Sequence, residues 1–314
     1  MRKVIGIGET ILDIIFKNGK PIAAVPGGST YNAMVSLGRS GIPAALISET
    51  GHDRVGDYII QFLRDNGVNA DNVSAFPESK SPVSLAFLDE NNDAQYIFYK
   101  DHPHDRLELN NPENINADDI VVFGSYYAVN PVIRNQVRQV LDSARQHGAI
   151  IYYDVNFRPT HANDVMRITP NLLENLEYSD IVRGSEGDFA VLYKNGEADR
   201  VYKAEISFYC KNFICTNGAQ PVIVHGAGNF RKEYAVPQDE KTVSTIGAGD
   251  NFNAGFIYGL IRNGITRQMI KNGLSAAQWD DVVGSAQAFA ADCCKDIGNN
   301  VSIDFGNRMK AMLK

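Results

Sequence analysis

Short apolar runs that alternate with helical patterns constrain the fold of this chain more than any other feature. The runs predict buried strands at Val4–Gly8, Ala44–Glu49, Ile120–Gly124, Ile150–Asp154, Ile181–Arg183, Phe213–Thr216 and Pro221–His225. Helical patterns lie between many of them, at Thr30–Ser40, Tyr58–Asn66, Pro131–Gln146 and Gly187–Tyr193. Because strand–helix–strand crossovers are right-handed and join parallel strands, the alternation predicts an α/β protein, doubly wound around a mainly parallel sheet.

A single domain, residues 1–314, is the predicted organisation. No internal repeat or low-complexity linker interrupts the pattern, although the chain turns mostly helical from Ala248, through Phe252–Arg262 and Asp280–Lys295. Hydrophobic residues at 44% and charged residues at 21% are typical of a globular protein. This composition argues against disorder and against a coiled coil.

Two segments depart from the alternation and predict a small separate sheet. Residues 11–26 form two short strands around the turn Asn18-Gly19, and residues 82–100 form a hairpin on either side of Asp89–Asp93. Strands without covering helices must bury one face against a substrate, the main domain or another subunit. We therefore expect this sheet to act as a lid.

Charge and the lack of long apolar stretches exclude several classes of partner. The net charge of −7 gives no general affinity for nucleic acid, so any polyanion must be bound by a local site. No stretch has the length of a transmembrane helix, and because Glu9 and Asp13 interrupt the apolar start, we do not expect it to be a signal peptide. We expect a cytoplasmic protein that does not bind membranes.

The cysteines and histidines predict no metal centre. The cysteines form no CxxC pair and have no histidines at zinc-ligand spacing, so we expect reduced, mostly buried thiols at Cys210, Cys215, Cys293 and Cys294. His102 and His104 lack a third ligand, which favours a solvated loop beside the lid.

The strongest motif is the run from Ser244 to Gly255, in which Gly247, Ala248 and Gly249 lead into an apolar helix with Asp250 at its first turn. Glycines allow the backbone to approach a ligand, and free N–H groups at a helix start bind phosphate oxygens. The alternative interpretation is a helix N-cap, where aspartate is common.

Paired glycines also precede the first long helix. Gly27 and Gly28 permit a close turn, and Asn32 offers both a donor and an acceptor to sugar hydroxyls. A Gly-Gly turn that merely caps a helix is the alternative for this motif alone.

Together, the two motifs resemble the N- and C-terminal signatures of the ribokinase-like (PfkB) carbohydrate kinases. The resemblance implies an ATP-dependent sugar kinase that uses Mg²⁺, with Asp250 as catalytic base and Gly247, Ala248 and Gly249 stabilising the transferred phosphoryl group. Ser244 stands where the family usually has aspartate, a position that helps many members bind a monovalent cation, so potassium activation is left open. Many members also pair through their lids, which makes a homodimer one option.

Further site residues follow from this resemblance. Asp13 corresponds to a sugar-binding aspartate. The segment Asp154–Arg158 resembles the Asp-x-Asn-x-Arg of fructokinases and ketodeoxygluconate kinases, with Arg158 binding phosphate or a sugar oxygen and Asn156 orienting the nucleotide or metal. Its place at the end of a strand suits a ligand site. The alternative is a capped turn with a surface salt bridge.

The resemblance also assigns nucleotide and metal residues. Ser185 and Asp188 replace the Asn-x-x-Glu that organises magnesium through water, with Glu186 as a neighbouring candidate. Thr216, Asn217 and Gly218 resemble the start of the loop under the nucleotide, although Pro221 replaces its last glycine.

Competing nucleotide-binding motifs are incomplete. Gly6-Ile7-Gly8 lacks the third glycine of a dinucleotide fingerprint, because Ile11 stands there, and Asp57 occupies the lysine position of a Walker A loop at Gly51–Gly56.

The fructokinase-like segment favours fructose as the substrate, with 2-keto-3-deoxygluconate, ribose or a nucleoside as alternatives. A catalytically silent sugar-binding regulator of the same fold is a further alternative, since Ser244, Asp188 and Pro221 depart from the family pattern. Asp250 is expected to be a weaker base than usual, because the helix dipole favours its ionised form.

Overall fold

A mainly parallel sheet runs through the centre of the molecule. The computed structural model describes residues 2–90, 94–100, 114–237 and 242–313. Its strands are β1 (Val4–Ile7), β2 (Ile11–Lys17), β3 (Lys20–Gly27), β4 (Ala44–Gly51), β5 (Val68–Asn69), β6 (Val73–Phe76), β7 (Val83–Leu88), β8 (Ala94–Tyr99), β9 (Ile120–Gly124), β10 (Ile150–Asp154), β11 (Ile181–Ser185), β12 (Phe213–Asn217), β13 (Gln220–Gly226) and β14 (Phe230–Tyr234).

The α-helices connect these strands and cover both faces of the sheet. They are α1 (Ser29–Arg39), α2 (Arg54–Asp65), α3 (Ser125–Val129), α4 (Arg134–His147), α5 (Val165–Tyr178), α6 (Glu186–Tyr193), α7 (Ala198–Val201), α8 (Ala248–Arg262), α9 (Arg267–Asn272), α10 (Ala276–Cys293) and α11 (Ile303–Met312). A 3₁₀ turn at Pro159–Asp164 and a π-helical turn at Tyr202–Ile206 complete the described elements.

The central sheet confirms the predicted doubly wound topology. Its strand order is β14-β13-β12-β11-β10-β9-β1-β4-β5, with β6 paired to β4. The strands from β12 through to β4 are parallel, whereas β13 and β14 add an antiparallel edge. Alternate residues of β10 enter opposite cores: Ile150 and Tyr152 pack on the side of α8 and α10, and Ile151 and Tyr153 on the side of α4 and α5.

The predicted small sheet is present beside the central one. Its order is β3-β2-β7-β8, with β2 and β3 joined at Asn18 and Gly19, whose φ angles are 51° and 72°. Two residues with positive φ make the tight hairpin turn that an Asn-Gly pair favours. The tip of the second hairpin, residues 91–93, lies outside the described residues, as do His102 and His104.

Five helices and three strands of the described residues were not among those predicted from the sequence: α3, α5, α7, α9 and α11, and β5, β6 and β14. Helix α5 contains Pro170, whose missing N–H normally interrupts a helix, yet the helix continues through it. Helix α11 and strand β14 lie where the sequence shows no clear periodicity. Helix α2 begins four residues before its predicted start, because the Asp53 carboxylate accepts the N–H groups of Val55 and Gly56.

No helix in the described part of the chain is both long and apolar enough to span a bilayer.

Close contact between α8 and α10 supports the helix that carries Asp250. A Cβ added at Gly255 would lie 2.5 Å from the carbonyl oxygen of Ser285 and 2.8 Å from Cβ of Phe289, so the helices touch backbone to backbone there. Gly284, on the solvent side of α10, has no atom within 4 Å of such a Cβ.

We expect Gly255→Ala to destabilise the protein by about 1–3 kcal/mol, because the added methyl overpacks the helix pair. Gly284→Ala should instead be neutral or stabilising by up to about 1 kcal/mol, since alanine has the higher helix propensity. Urea unfolding of both variants checks this pair of opposite effects. Equal stabilities would contradict the close packing of α8 and α10.

Candidate active site

The polar residues singled out in the sequence gather at the carboxyl ends of the parallel strands. Strand β1 is followed by Glu9, β10 ends at Asp154 and β11 ends at Ser185, while the N-termini of α1 and α8 point toward the same edge. Ligands of open α/β sheets bind at this edge, because the chain reverses there and leaves a crevice.

Helix α8 begins at the glycine motif. Gly247 is its N-cap with φ 76°, a left-handed conformation that favours glycine, and a Cβ there would lie 2.8 Å from the carbonyl oxygen of Asn299. The first helical hydrogen bond runs from the N–H of Asn251 to Gly247 O. The N–H of Ala248 donates to Thr245 O at 3.2 Å, contrary to the expectation that all of residues 247–249 offer amides to a ligand.

The next amides remain available. Among the described residues, none accepts a hydrogen bond from the N–H of Gly249 or Asp250. These groups lie at the positive end of a helix of 15 residues, which suits an oxyanion.

Asp250 faces this helix start with both oxygens bound. Ser29 Oγ donates to Oδ1 and Asn32 Nδ2 donates to Oδ2, each at 2.8 Å. Loss of hydration in the half-buried site raises the pKa of Asp250 to about 6, although both donors and the charge of Arg158 oppose the shift. The expectation of a weakened base was therefore wrong, because burial outweighs the helix dipole.

A buried ion pair lies directly beneath Gly249. Arg183 Nη1 donates to Asp154 Oδ1 at 3.0 Å, and Arg183 Nη2 donates to Thr216 Oγ1 at 2.8 Å. A Cβ at Gly249 would lie 3.0 Å from Nη2, so the glycine admits the guanidinium. Arg183 was not recognised as a site residue in the sequence; its signal was a basic residue inside an apolar strand.

The Asp154–Arg158 segment continues into the crevice. Asp154 Oδ2 accepts Nδ2 of Asn253 at 2.8 Å. Asn156 is buried with φ 35°, a left-handed conformation that asparagine tolerates better than most residues. Arg158 is exposed, and its charge lowers the pKa of both Asp250 and Glu9. The structure thus brings Arg158 to the predicted sugar side.

Asp13 lies on β2, on the face of the small sheet that contacts the loop after α10. Ser84 donates to Oδ1, and Asn299 Nδ2 donates to Oδ2 at 3.3 Å. Burial raises the pKa of Asp13 to about 6, against the effect of these donors. Gly27 is required beside it, because a Cβ there would lie 2.6 Å from Oδ2 of Asp13.

Gly28 and Asn32 stand at the start of α1. Gly28 has φ 124°, and a Cβ there would lie 2.2 Å from Glu9 O, so only glycine fits. Asn32 is buried, and its Oδ1 has no hydrogen-bond partner among the described residues. The structure therefore brings the predicted sugar-binding residues, Asp13, Gly27, Gly28 and Asn32, into one cluster with Asp250.

The predicted nucleotide residues lie across Arg183 from Asp250. Thr216 is bound by Arg183, whereas Asn217 on the exposed rim donates to Glu186. Gly218 has φ 52° and open space around it. Glu186 and Asn217 thus contact each other rather than Asp250.

Ser185 and Asp188 form a capping box at the start of α6. The N–H and hydroxyl of Ser185 both donate to Asp188 Oδ2 at 2.7 Å, and the N–H of Asp188 donates to Ser185 Oγ at 3.1 Å. Burial raises the pKa of Asp188, which lies near Asp154 and Arg183. Its other oxygen, Oδ1, carries no hydrogen bond among the described residues.

A hard cation such as Mg²⁺ would need ligands from water or phosphate at this edge, in addition to those from the protein. The described residues contain no group of three or more His, Cys, Asp or Glu side chains placed to hold a metal ion. Asp154, Asp188 and Glu186 nevertheless offer the oxygen atoms that Mg²⁺ prefers, and Mg²⁺ in kinase sites takes most ligands from water and phosphates.

The small sheet closes one side of the crevice. Lys100, which follows β8, pairs with Glu9 at 2.5 Å. Burial alone would raise the pKa of Glu9, but the charge of Lys100 holds it below its usual range. Tyr96 of β8 lies near both carboxylates: burial and the charges of Asp13 and Asp250 raise its pKa.

Comparison with known proteins finds a family and relatives along most of the chain. A family model described as pfkB family carbohydrate kinase matches residues 1–290. A 5-dehydro-2-deoxygluconokinase of Geobacillus thermodenitrificans is 27% identical over 266 residues, covering 80% of this chain and 77% of that protein. A fructokinase of Rhizobium leguminosarum bv. trifolii is 26% identical over 274 residues, covering 84% and 81%.

The fold also matches a solved structure. The crystal structure of fructokinase from Vibrio cholerae, in a form with fructose, ADP and calcium bound, superposes with a TM-score of 0.81 at 19% identity, covering 100% of this chain and 99% of that chain. This likeness confirms the predicted ribokinase-like fold.

The raised pKa of Asp250 has a consequence for stability. A carboxyl whose pKa is higher in the folded state stabilises the fold when protonated, and this stability is lost as the pH rises through about 6. Asp250→Asn removes the charge, so its melting temperature at pH 8 should equal or exceed that of the wild type, with a smaller gain at pH 5 and none near pH 3.

Asp53 is the matched control with the opposite sign. Although burial opposes it, hydrogen bonds from Ser81, Gly56 and Val55 lower the pKa of Asp53, so Asp53→Asn should lower the melting temperature most at neutral pH. Thermal melts of both variants between about pH 3 and 8 check the two signs. A clear loss of stability at pH 8 in Asp250→Asn would contradict the buried-charge argument.

Proposed function

Since the chain belongs to the pfkB family of carbohydrate kinases, we propose that it transfers the γ-phosphoryl group of ATP to a hydroxyl of a neutral ketose, with fructose as the preferred substrate. The observation that carries this proposal is the placement of Asp250 beside the free amides at the start of α8. A proton acceptor and an oxyanion site thereby lie next to each other.

Asp250 accepts the proton of the attacking hydroxyl. Its pKa of about 6 leaves it ionised at neutral pH yet makes it a better proton acceptor than an ordinary aspartate. Ser29 and Asn32 hold its two oxygens, which fixes the carboxylate before the sugar arrives. The proton moves from the sugar oxygen to Asp250 as that oxygen bonds to the γ-phosphorus and the bond from this phosphorus to the leaving ADP oxygen breaks.

The start of α8 stabilises the charge that develops on the phosphoryl oxygens. The amides of Gly249 and Asp250 point to the ligand from the positive end of the helix, with Gly247 providing the turn. The guanidinium of Arg183, which is paired with Asp154, lies directly behind Gly249 and supports the helix start. Because these groups are already in place, little reorganisation accompanies the reaction.

The nucleotide lies, in this proposal, on the Thr216 side of Arg183. Thr216, Asn217 and Gly218 pass beneath it, and Asn156 orients its phosphates. Bound Mg²⁺ would neutralise phosphate charge, held through water by Asp188, with Ser185, Glu186 and Asp154 around it. The small sheet, acting as a lid, would exclude water that competes with the sugar.

Hydrogen-bond acceptors dominate the sugar side. Asp13, Asp250 and the free Oδ1 of Asn32 all accept, and hydroxyl groups are the donors that suit them. Glu9 neutralises Lys100, and burial lowers the pKa of His161. The positive charge of Arg158 is then opposed by the carboxylates of Asp13 and Asp250, which favours a neutral sugar over an anionic one.

A sugar acid such as 5-dehydro-2-deoxygluconate is the second candidate. The observation that favours it is the cluster of Lys100, Arg158 and His161, whose charges all act on Glu9. Relatives named 5-dehydro-2-deoxygluconokinase add support. If Lys100 left Glu9 on substrate binding, it could pair with a carboxylate.

A panel assay separates the two candidates. With ADP release measured at pH 7.5, we expect kcat/KM for fructose to exceed that for 5-dehydro-2-deoxygluconate and 2-keto-3-deoxygluconate at least about tenfold. Asp250→Asn should lower kcat about 10²- to 10⁴-fold. The acid limb of the wild-type kcat/KM profile, which reports the free enzyme, should lie near pH 6. A higher kcat/KM for either acid than for fructose would identify a sugar acid as the preferred substrate.

The outer face of the small sheet fits a second copy of the chain. On the side away from Asp13 it exposes apolar residues, including Phe87, Ile97 and Tyr99, with exposed fractions of 37%, 49% and 58%. An apolar sheet face of this kind marks a protein interface. We place the homodimer there, and we place the enzyme in the cytoplasm, in keeping with its free cysteines.

Light scattering at micromolar concentration should give the mass of a dimer. Ile97→Glu is expected to give a monomer, because it puts a charge in the centre of the apolar face. Ile303→Glu, at a residue 64% exposed on α11, is the matched control and should remain dimeric. A monomeric wild type would refute this interface.

A further inference from the structure

Asn299 is a buried amide beside the sugar-side carboxylate that the sequence did not single out. It lies in the loop after α10 and is 2% exposed. Its Nδ2 donates to Asp13 Oδ2 at 3.3 Å, across 286 residues of chain. Its Oδ1 has no hydrogen-bond partner among the described residues, and a buried acceptor left in this state is costly.

The orientation of this amide follows from its neighbour. If the side chain were flipped, Oδ1 would face the carboxylate of Asp13 and the two acceptors would repel each other. The observed orientation therefore points Nδ2 at Asp13 and leaves Oδ1 as the free acceptor.

The loop that carries Asn299 is held from several sides. Asn251 Nδ2 donates to the carbonyl oxygen of Asn299 at 2.8 Å, and Asn300 Nδ2 donates to Asn32 O at 3.2 Å. The N–H of Val301 donates to Ser36 Oγ at 3.1 Å. A side chain anchored in this way loses little freedom when a ligand binds.

Gly27 of β3 permits the side chains of Asp13 and Asn299 to pack closely against the backbone. A Cβ at Gly27 would lie 3.1 Å from Asn299 Nδ2 and 2.6 Å from Asp13 Oδ2. Asn32 repeats the arrangement on the other carboxylate: Nδ2 donates to Asp250 and Oδ1 is free. Each carboxylate of the site thus has an asparagine that donates to it and retains a free acceptor.

We propose that Asn299 contacts the sugar and determines specificity: Oδ1 accepts one substrate hydroxyl while Nδ2 fixes Asp13 to accept another. This inference rests on the proposed sugar kinase activity but not on fructose being the sugar. A site built to bind a hydroxyl discriminates against a sugar in which that hydroxyl is missing or inverted, because Oδ1 then stays unpaired.

The test compares wild type and Asn299→Ala on D-fructose and its epimers D-psicose, D-tagatose and L-sorbose, or on the epimers of whichever sugar the wild type prefers. We expect kcat/KM for the preferred sugar to fall about tenfold or more. The preference over one epimer should collapse while the other ratios change little. Unchanged ratios for all epimers would overturn the proposal, and a wild type without activity on any sugar would overturn the proposed function with it.

The variant Asn300→Ala distinguishes a direct contact between Asn299 and the sugar from mere support of the loop. This neighbour anchors the same loop through Asn32 O, so its loss disturbs the loop without removing Oδ1 of Asn299. We expect Asn300→Ala to keep the wild-type epimer ratios, and an equal collapse in both variants would overturn the proposal.

The pH dependence of KM gives a second readout. The donor from Asn299 favours ionised Asp13, so Asn299→Ala should raise the pH at which sugar binding weakens above its wild-type value near 6. An unmoved profile would contradict the contact with Asp13.

Discussion

Burial of the Asp250 carboxylate at the positive end of α8 is the constraint on which the site depends. Burial opposes the charge, whereas Ser29, Asn32 and the helix start support it, and the balance raises the pKa to about 6. Such a carboxylate costs stability at neutral pH and is useful as a proton acceptor for the same reason. The glycine contacts between α8 and α10 and the turn at Gly247 hold the helix that carries it.

Buried polar residues join the two halves of the site. Arg183 connects Thr216 on the nucleotide side to Asp154, whose other oxygen is bound by Asn253 of α8. Ser29 approaches both Asp154 and Asp250, at 3.4 and 2.8 Å. Because each of these side chains forms a hydrogen bond that another one needs, a change at one residue is expected to alter the orientation of several.

Local signals predicted the architecture well and failed where the local sequence misleads. The buried strands β9 and β10 begin and end at the predicted residues, because a run of apolar side chains bounded by polar ones is visible without the fold. Helix α5 was not predicted; its Pro170 disfavours a helix, and tertiary packing of Ile168, Leu172 and Leu176 overrides that preference. The Asn18-Gly19 turn was predicted because its chemistry is local.

The sequence alone determined the chemistry of the motifs: glycines before a helix-borne carboxylate, a Gly-Gly turn before Asn32, and alternating strands and helices. Only the tertiary structure decided that Asp250 is a strengthened base, that Arg183 lies beneath Gly249, and that Asn299 meets Asp13 across 286 residues. The physical reason is that burial and long-range hydrogen bonds depend on which distant segments meet. No local pattern of residues encodes that meeting.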